Sequence, residues 1–446
     1  MASQLKCFLL ILGLVCTAMV AAFVSPDPGK NILRTSCCRR TPSATTTLLR
    51  ETASPQSSSS SADQFQAKLL ELQSAGIPLL GCDATAVHTM STGLWNTIAD
   101  VIAQDDATQV CMIFNDIPVS ALQSFVQDFA ILQTQDRLMQ HLVELQRLDI
   151  RMLDPDSPAL LIATTEPRND AAERAAEPGI GHVFDAQLCT NALTSFIQRI
   201  VIQENACPYT KSVQIAAVGL ESKGIQSGPV GYRFSDTSNA ARALAVFWQC
   251  VSELLETPET DISTTMLSLP AIGAGQSAAS LARFAAVMEV ISRYLCLYRG
   301  DASFGLVHFH PAYDRTAIHP IDKPAYGHLP PRSWLRPMMI RNGHVEQADA
   351  LSDDDLALSD YQRRAPFTAI NILRASQLNA ASGPKSIVTD LEVRPGVYET
   401  ASGLVLYSRN AMALAAIGKE RLDAGLAADI ALYQPPPQSQ PLQESA

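Results

Sequence analysis

What most constrains the fold of this chain is an alternation, between residues 186 and 310, of long helical periods with short apolar runs. Ala186–Gln203, Asn239–Leu255 and Ser277–Tyr298 keep helical spacing. Val213–Val218, Ile262–Leu269 and Phe304–His310 are short and apolar, the pattern of buried strands. Strands separated in this way by helices have both faces of their sheet covered, so the expected class is an α/β layered domain. Upstream, Gln64–Gln73 and Leu94–Ala103 are helical by period, Ile77–Leu80 is a short apolar segment, and Gln109–Phe114 and Ala159–Ala163 read as buried strands. A long amphipathic helix is expected from Val119, with Leu122, Phe125, Val126, Phe129, Leu132, Leu138, Leu142, Leu145 and Leu148 on one face.

The reading is therefore two layered α/β units, residues 63–167 and 185–381, joined by a polar linker at 168–184 that holds Pro178 and two glycines. The second unit is expected to have a three-strand alternating αβαβαβα core, with Phe367–Leu378 as its last helix. Between Pro311 and Tyr361 the period is lost and six prolines punctuate the chain, so a long loop or embellishment is expected there, of a length usually functional or disordered. An extension at 382–433 carries a hairpin-like stretch around Gly396 and Gly403 and a helix near Ala411–Leu422, before a Pro/Gln tail at 434–446 expected to be disordered. No internal repeat is visible in the residues.

The first sixty residues read as an address. Lys6 and the apolar run Cys7–Val20, followed by Ala21 and Ala22, form a secretory signal over residues 1–22. Residues 23–62 are rich in Ser and Thr, and Lys30, Arg34, Arg39, Arg40 and Arg50 are opposed only by Asp27 and Glu51. That is the composition of a transit peptide, ending in a low-complexity linker that Asp63 closes as a helix cap. Signal followed by transit segment, with Phe23 at the junction, resembles the bipartite leader of algae with secondary plastids, which implies a plastid stroma reached through the secretory route. The alternative is simple secretion.

With 47% hydrophobic and 17% charged residues, the chain is able to bury a core. A net charge of −11 and no basic run beyond the leader argue against a nucleic-acid partner, because phosphate neutralisation needs clustered Lys and Arg. No apolar stretch after the leader reaches the length of a membrane span. The six cysteines beyond the leader, Cys82, Cys111, Cys189, Cys207, Cys250 and Cys296, have no C-x-x-C spacing and several lie in apolar segments, so a disulfide framework is not expected.

Three short segments carry chemistry: Asn205-Ala206-Cys207-Pro208-Tyr209-Thr210-Lys211 after a helix, His308-Phe309-His310-Pro311-Ala312-Tyr313 at a strand end, and Arg363-Arg364-Ala365-Pro366-Phe367 leading towards Arg374. In this order they resemble the domain of unknown function 1415 family over about residues 186–381. Matching positions are Cys207, Pro208, Lys211, Phe309, His310, Pro311, Tyr313, Arg364, Pro366, Leu373 and Arg374. The chain departs from the family pattern at Arg363, Thr368, Asn371 and Ala375, where the family has Asn, Pro, His and Glu, and its 315–362 stretch is longer. The resemblance implies a shared neighbourhood and no particular reaction.

Cys207-Pro208-Tyr209 is similar to a glutaredoxin site, but the second cysteine is replaced by Thr210 and the segment follows a helix C-terminus, where the dipole disfavours a thiolate. A structural cysteine is favoured, although Lys211 would lower its pKa if the side chains met. His308 and His310, two apart on a strand, project to one face. They are weak metal candidates, with Asp314 or His319 as possible third ligands. His310 at a strand end suits a general acid/base, oriented by Tyr313. Arg364 and Arg374, bracketing the start of the last helix, would form an anion cradle, with Lys211 as a further contact; the alternative is pairing with Asp353, Asp354, Asp355 or Asp360. Two readings follow. In the first, Cys207, His310 and Tyr313 are catalytic and Lys211, Arg364 and Arg374 bind a small anionic metabolite. In the second, the chain is a non-catalytic binding or assembly module with a plastid protein partner. The sequence names no cofactor.

Overall fold

The three long helices of the second unit begin where the sequence supplies an acceptor for an otherwise unbonded first-turn amide. Asp185, Asn239 and Ser277 accept from Leu188 N, Arg242 N and Ser280 N at 2.8, 2.9 and 3.0 Å. The computed structural model describes residues 38–39, 59–103, 108–133, 148–164, 183–207, 209–382, 389–401 and 403–434. The expected signal segment, nearly all of the expected transit segment, the linker at 168–182, Pro208, the apolar positions Leu138, Leu142 and Leu145, and the tail after 434 lie outside the described residues. Contacts divide the chain into two compact units, Met1–Thr134 with Gln146–Pro167 and Gln135–Leu145 with Arg168–Ala446. Both are α/β.

In the first unit, α1 (Ser59–Ser74) opens earlier than expected, so Asp63 lies inside it rather than capping it. The strands β1 (Cys38–Arg39), β2 (Leu79–Cys82), β3 (Gln109–Phe114), β4 (Leu148–Met152) and β5 (Ala159–Thr164) form one sheet in the order β1-β2-β3-β5-β4. Every residue of β5 is buried, as a strand paired on both sides and covered on both faces requires. Helices α2 (Val87–Ile102) and α3 (Val119–Gln133) supply Trp95 and Phe129, whose rings meet at 6.2 Å.

The second unit carries five strands rather than three: β6 (Ile215–Ala216), β7 (Gly228–Phe234), β8 (Thr264–Ser268), β9 (Phe304–Phe309) and β10 (Ala369–Arg374), in the order β6-β7-β8-β10-β9. Strands β7 and β8 are parallel, and β10 runs antiparallel between β8 and β9. The expected strand at Val213–Val218 shrinks to two residues. Strand β7 escapes the sequence pattern because Gly228, Pro229 and Gly231 interrupt its apolar run. The expected helix at Phe367–Leu378 is β10 followed by α11 (Ala375–Ser382). Ile370 and Ile372 are fully buried and the strand is hydrogen-bonded on both edges, so pairing overrides an ambiguous local period.

Helix α4 (Ala186–Phe196), continued by a π-helical turn at Ile197–Gln203, covers one face of this sheet, with Phe196 edge-on to Phe309 at 5.8 Å. Helices α5 (Ala240–Glu256) and α6 (Ala278–Leu297) connect the strands, and Phe284 of α6 meets the side chains of β9 on the opposite face. The Pro-punctuated stretch after β9 is helical: α7 (Arg315–Ile318), α8 (Leu335–Arg341), α9 (Val345–Ala350) and α10 (Asp353–Ala357). Trp334, Leu335, Met338, Met339 and Leu356 of this insert form a core with the C-terminal hairpin, β11 (Thr389–Arg394) and β12 (Val397–Ala401), and with α12 (Leu404–Ile417). The last helix, α13 (Lys419–Ala431), docks on α4 through Asp429, which is buried and accepts from Arg199 at 2.6 Å and Ser195 at 2.7 Å. The expected C-terminal extension is thus part of the second unit's core. Among the described residues no helix is long and apolar enough to cross a membrane.

The two sheets share one plan. Strand order and directions correspond throughout. Leu79 faces Cys111, Gln109 faces Ala163 and Leu148 faces Thr164 in the first; Tyr232 faces Met266, Thr264 faces Leu373 and Phe304 faces Arg374 in the second. They differ in the last connection, residues 153–158 in one and the helical insert 310–368 in the other. The repeat is one of topology, and the residues alone do not disclose it.

Candidate functional site

Strands β7, β8 and β9 point their C-terminal ends to one edge of the second sheet, and α5 and α6 start there. His310 is the first residue beyond β9. Its backbone N–H donates to Arg363 O at 3.1 Å, its Nε2 lies 2.8 Å from Gly273 O, and its Nδ1 accepts from Ala312 N at 3.1 Å. Because Gly273 O can only accept, the ring proton sits on Nε2, and both nitrogens are engaged. Burial holds this imidazole down at about 4, against the opposing pull of the Gly273 carbonyl. A histidine so placed ties a strand end to the Gly273 turn and has no lone pair left for a substrate.

His308 lies two residues earlier on the same face, as its spacing predicts, and both rings approach Phe284. Its bonding is part of a row. Leu329 N donates to the Tyr313 hydroxyl at 3.0 Å, and Tyr313 Oη lies 3.1 Å from His328 Nδ1. His328 Nε2 in turn lies 3.1 Å from His308 Nδ1. A neutral relay along this row, run in either direction, leaves His308 Nε2 over, buried and without a partner among the described residues. His319 completes the cluster, ring to ring with His328 at 4.7 Å. Burial is the main cause that keeps all three imidazoles neutral: His308 at about 3, His328 well below the usual histidine value and His319 lowered, with Arg363 adding to the first two and Arg315 to the last two. Gly327, at φ +81°, packs on this row; a Cβ there would come 2.5 Å from the His308 ring, so only glycine fits.

Beside the row, Arg315 is 1% exposed, yet each of its three guanidinium nitrogens donates to a backbone carbonyl: Leu329 O at 2.7 Å, His319 O at 2.9 Å and Lys323 O. Its backbone N–H donates to Asp360, a buried carboxylate also held by Arg332 at 2.7 Å. Burial pushes Asp360 up to about 6 in spite of Arg332. Arg315, Arg332 and His328 are not singled out by the sequence, and Asp360 only as a surface partner for the arginines. Their signal was ionisable residues inside a stretch that looked like loop, where burial cannot be foreseen.

The six sequence-predicted site residues do not all meet. His310, Tyr313 and Arg364 do: Tyr313 N donates to His310 O at 2.9 Å, and Arg364 Nε donates to Tyr313 O at 3.0 Å while its guanidinium lies over the Tyr361 ring. Cys207 is half-buried just past the π-helical turn, as expected of a C-terminal position. Its neighbour Ala206 reaches this group indirectly, through Asn410, which donates to Ala206 O and Gln362 Oε1 at 3.0 Å each. Lys211 is exposed, and among the described residues its ammonium makes no hydrogen bond or ion pair with the group. Arg374 ends β10 at the opposite edge of the sheet and donates to Thr257 O at 2.6 Å and Ile262 O at 3.0 Å. The anion cradle expected from Arg364 and Arg374 is therefore not formed, because the residues between them are strand rather than a helix start. The expected alternative partners of Arg364 are taken elsewhere, Asp360 by Arg332 and Asp353 by Arg336 at 2.9 Å. Asn371 sits mid-strand, its Oδ1 2.7 Å from Thr264 Oγ1, and Thr368 donates to Ile272 O at 2.6 Å. Among the described residues no group of three His, Cys, Asp or Glu side chains is placed to hold a metal ion.

A family model described as "Protein of unknown function (DUF1415)" matches residues 189–357, less than half of the chain. The match runs from α4 to the end of α10. It takes in Cys207, Lys211, His310, Tyr313 and the whole buried histidine row, and stops short of Arg364 and Arg374. No curated protein and no solved structure matches the chain.

Proposed function

We propose that this is a plastid-targeted protein whose second unit binds a small anionic metabolite at the C-terminal edge of its sheet. One observation carries the reading. Arg363 is half-buried at that edge, its guanidinium lies over the Phe309 ring at 5.5 Å, and among the described residues it has no carboxylate partner. The starts of α5 and α6 and the neighbouring Arg364 place further positive potential at the same edge, where ligands of open α/β sheets gather. Binding is favoured over turnover, since His310 and Tyr313 have their polar atoms committed to the protein itself. A non-catalytic module is thus the better of the two sequence readings for these residues. In a thermal-shift screen against phosphorylated and carboxylated metabolites, at least one anion should stabilise the wild type, and Arg363→Gln should weaken it about tenfold while Arg374→Gln leaves it unchanged. An Arg363→Gln variant that responds like wild type overturns the assignment.

The plastid address rests on the leader, Ala22-Phe23-Val24-Ser25-Pro26 above all. Residues 1–62 fused to a fluorescent protein should reach the plastid in an alga with a secondary plastid, and Phe23→Asp should leave the fusion in the secretory route. Secretion of the unmodified fusion would refute the address.

A further inference from the structure

A cavity of about 290 Å³ opens between the C-terminal half of α6 and the start of the insert, away from Arg363. From α6 it is lined by Glu289, Ser292, Arg293 and Cys296, and from the insert by His319 and Tyr326. We infer that this cavity is a binding site for a small zwitterion, a free α-amino acid, with Arg293 taking the carboxylate and Glu289 the ammonium.

The argument begins with charge. Glu289 and Arg293 are one helical turn apart and bonded to each other at 2.5 Å, with side chains 29% and 42% exposed. An ion pair that open to water contributes little, so exchanging its partners for those of a ligand costs little. The other ionisable walls add no charge: burial keeps His319 neutral, and burial together with Asp301 keeps the Cys296 thiol protonated. The lining thus presents one positive and one negative group side by side. A simple anion would face Glu289 and a simple cation Arg293, whereas an α-amino acid carries both charges at matching separation. The second observation is Ser292, 9% exposed, whose hydroxyl is buried in this wall without a hydrogen-bond partner. The hydroxyl is enclosed in its present rotamer, and a χ1 turn towards the cavity lets a polar ligand atom satisfy it. Tyr326 and Ala325 offer an apolar wall for a side chain, and the volume, at the small end for ligand pockets, limits the guest to amino-acid size. Because His319 lines the cavity and packs on His328, an occupant also braces the insert against the sheet.

The test uses the full chain at pH 7.5, by titration calorimetry and thermal shift. The probes are L-alanine, L-serine, L-leucine, L-glutamine and L-phenylalanine, with propionate and ethylamine as half-ligands. At least one amino acid should raise the melting temperature by about 3 °C or more at saturation, and neither half-ligand should do so. Glu289→Gln and Arg293→Gln, each on a partly exposed pair and each checked for a native circular dichroism spectrum, should weaken binding at least about tenfold. Ser292→Ala should weaken it less, and Arg363→Gln should leave it intact, which separates this site from the anion site. No response to any of the five, an equal response to propionate, or binding that survives both charge-neutralising variants would overturn the inference.

Discussion

Arg315→Ala should destabilise the second unit by about 3–5 kcal/mol. The guanidinium is almost fully enclosed and holds three carbonyls of the 319–329 segment at once. Truncation leaves Leu329 O, His319 O and Lys323 O without their shared donor, each at a desolvation cost. It also removes positive charge from beside Asp360, a carboxylate 1% exposed. The loss should appear as a lower urea midpoint for the unfolding transition of the second unit, and as new proteolysis between His319 and Leu329. Arg315→Lys should recover part of the stability only, because one ammonium cannot span three carbonyls that a planar fork reaches together. A urea midpoint for Arg315→Ala corresponding to less than about 1 kcal/mol of loss would show that the insert is held chiefly by its apolar core at Trp334 and Met338.

Acidification should weaken the same unit steeply below neutrality. His308 and His310 are held at about 3 and about 4 in the fold, and His319 and His328 are also lowered, while an unfolded histidine titrates near 6.5. The unfolded state therefore takes up these protons first. The contribution of each neutral histidine to stability is complete above about pH 6.5, and it is lost as pH falls towards the folded values at up to about 1.4 kcal/mol per pH unit. Asp360 acts in the opposite sense. Raised to about 6, it binds a proton in the fold before it would in the unfolded chain, and it offsets about one histidine between pH 6 and 4. The net slope stays positive because four imidazoles oppose one carboxyl. Urea midpoints at pH 7.5, 6.0 and 5.0 measure it, and His310→Gln should flatten the slope by about one proton. A midpoint unchanged between pH 7.5 and 5.0 would mean that the histidines reach water in the native state.

The buried row also changes how the conserved-looking motif is understood. His308-Phe309-His310-Pro311 reads as a catalytic strand end, yet the atoms that satisfy its two imidazoles belong to Gly273, Ala312 and His328. Gly273 and His328 are 37 and 20 residues away from their partners along the chain. Which of two histidine nitrogens is left over depends on those partners, and nothing local encodes them.

The sequence by itself determined the parts of this protein whose cause is local. Helices α4, α5 and α6 declare themselves through a side chain that caps each start and an apolar stripe along each length, and β8 and β9 through short buried runs between them. Two-residue spacing was enough to place His308 and His310 on one face. Tertiary structure alone decided that Ala369–Arg374 is a strand, since its six residues fit a helical period until β8 and β9 offer hydrogen bonds on both sides. It alone decided that the insert is helical and packs a core with the C-terminal hairpin, that Arg374 lies at the far edge from Arg364, and that two sheets of unlike residues share one strand order. Each of these depends on contacts between distant residues. Their free energy exceeds local preference, and it exists only once the chain has closed upon itself.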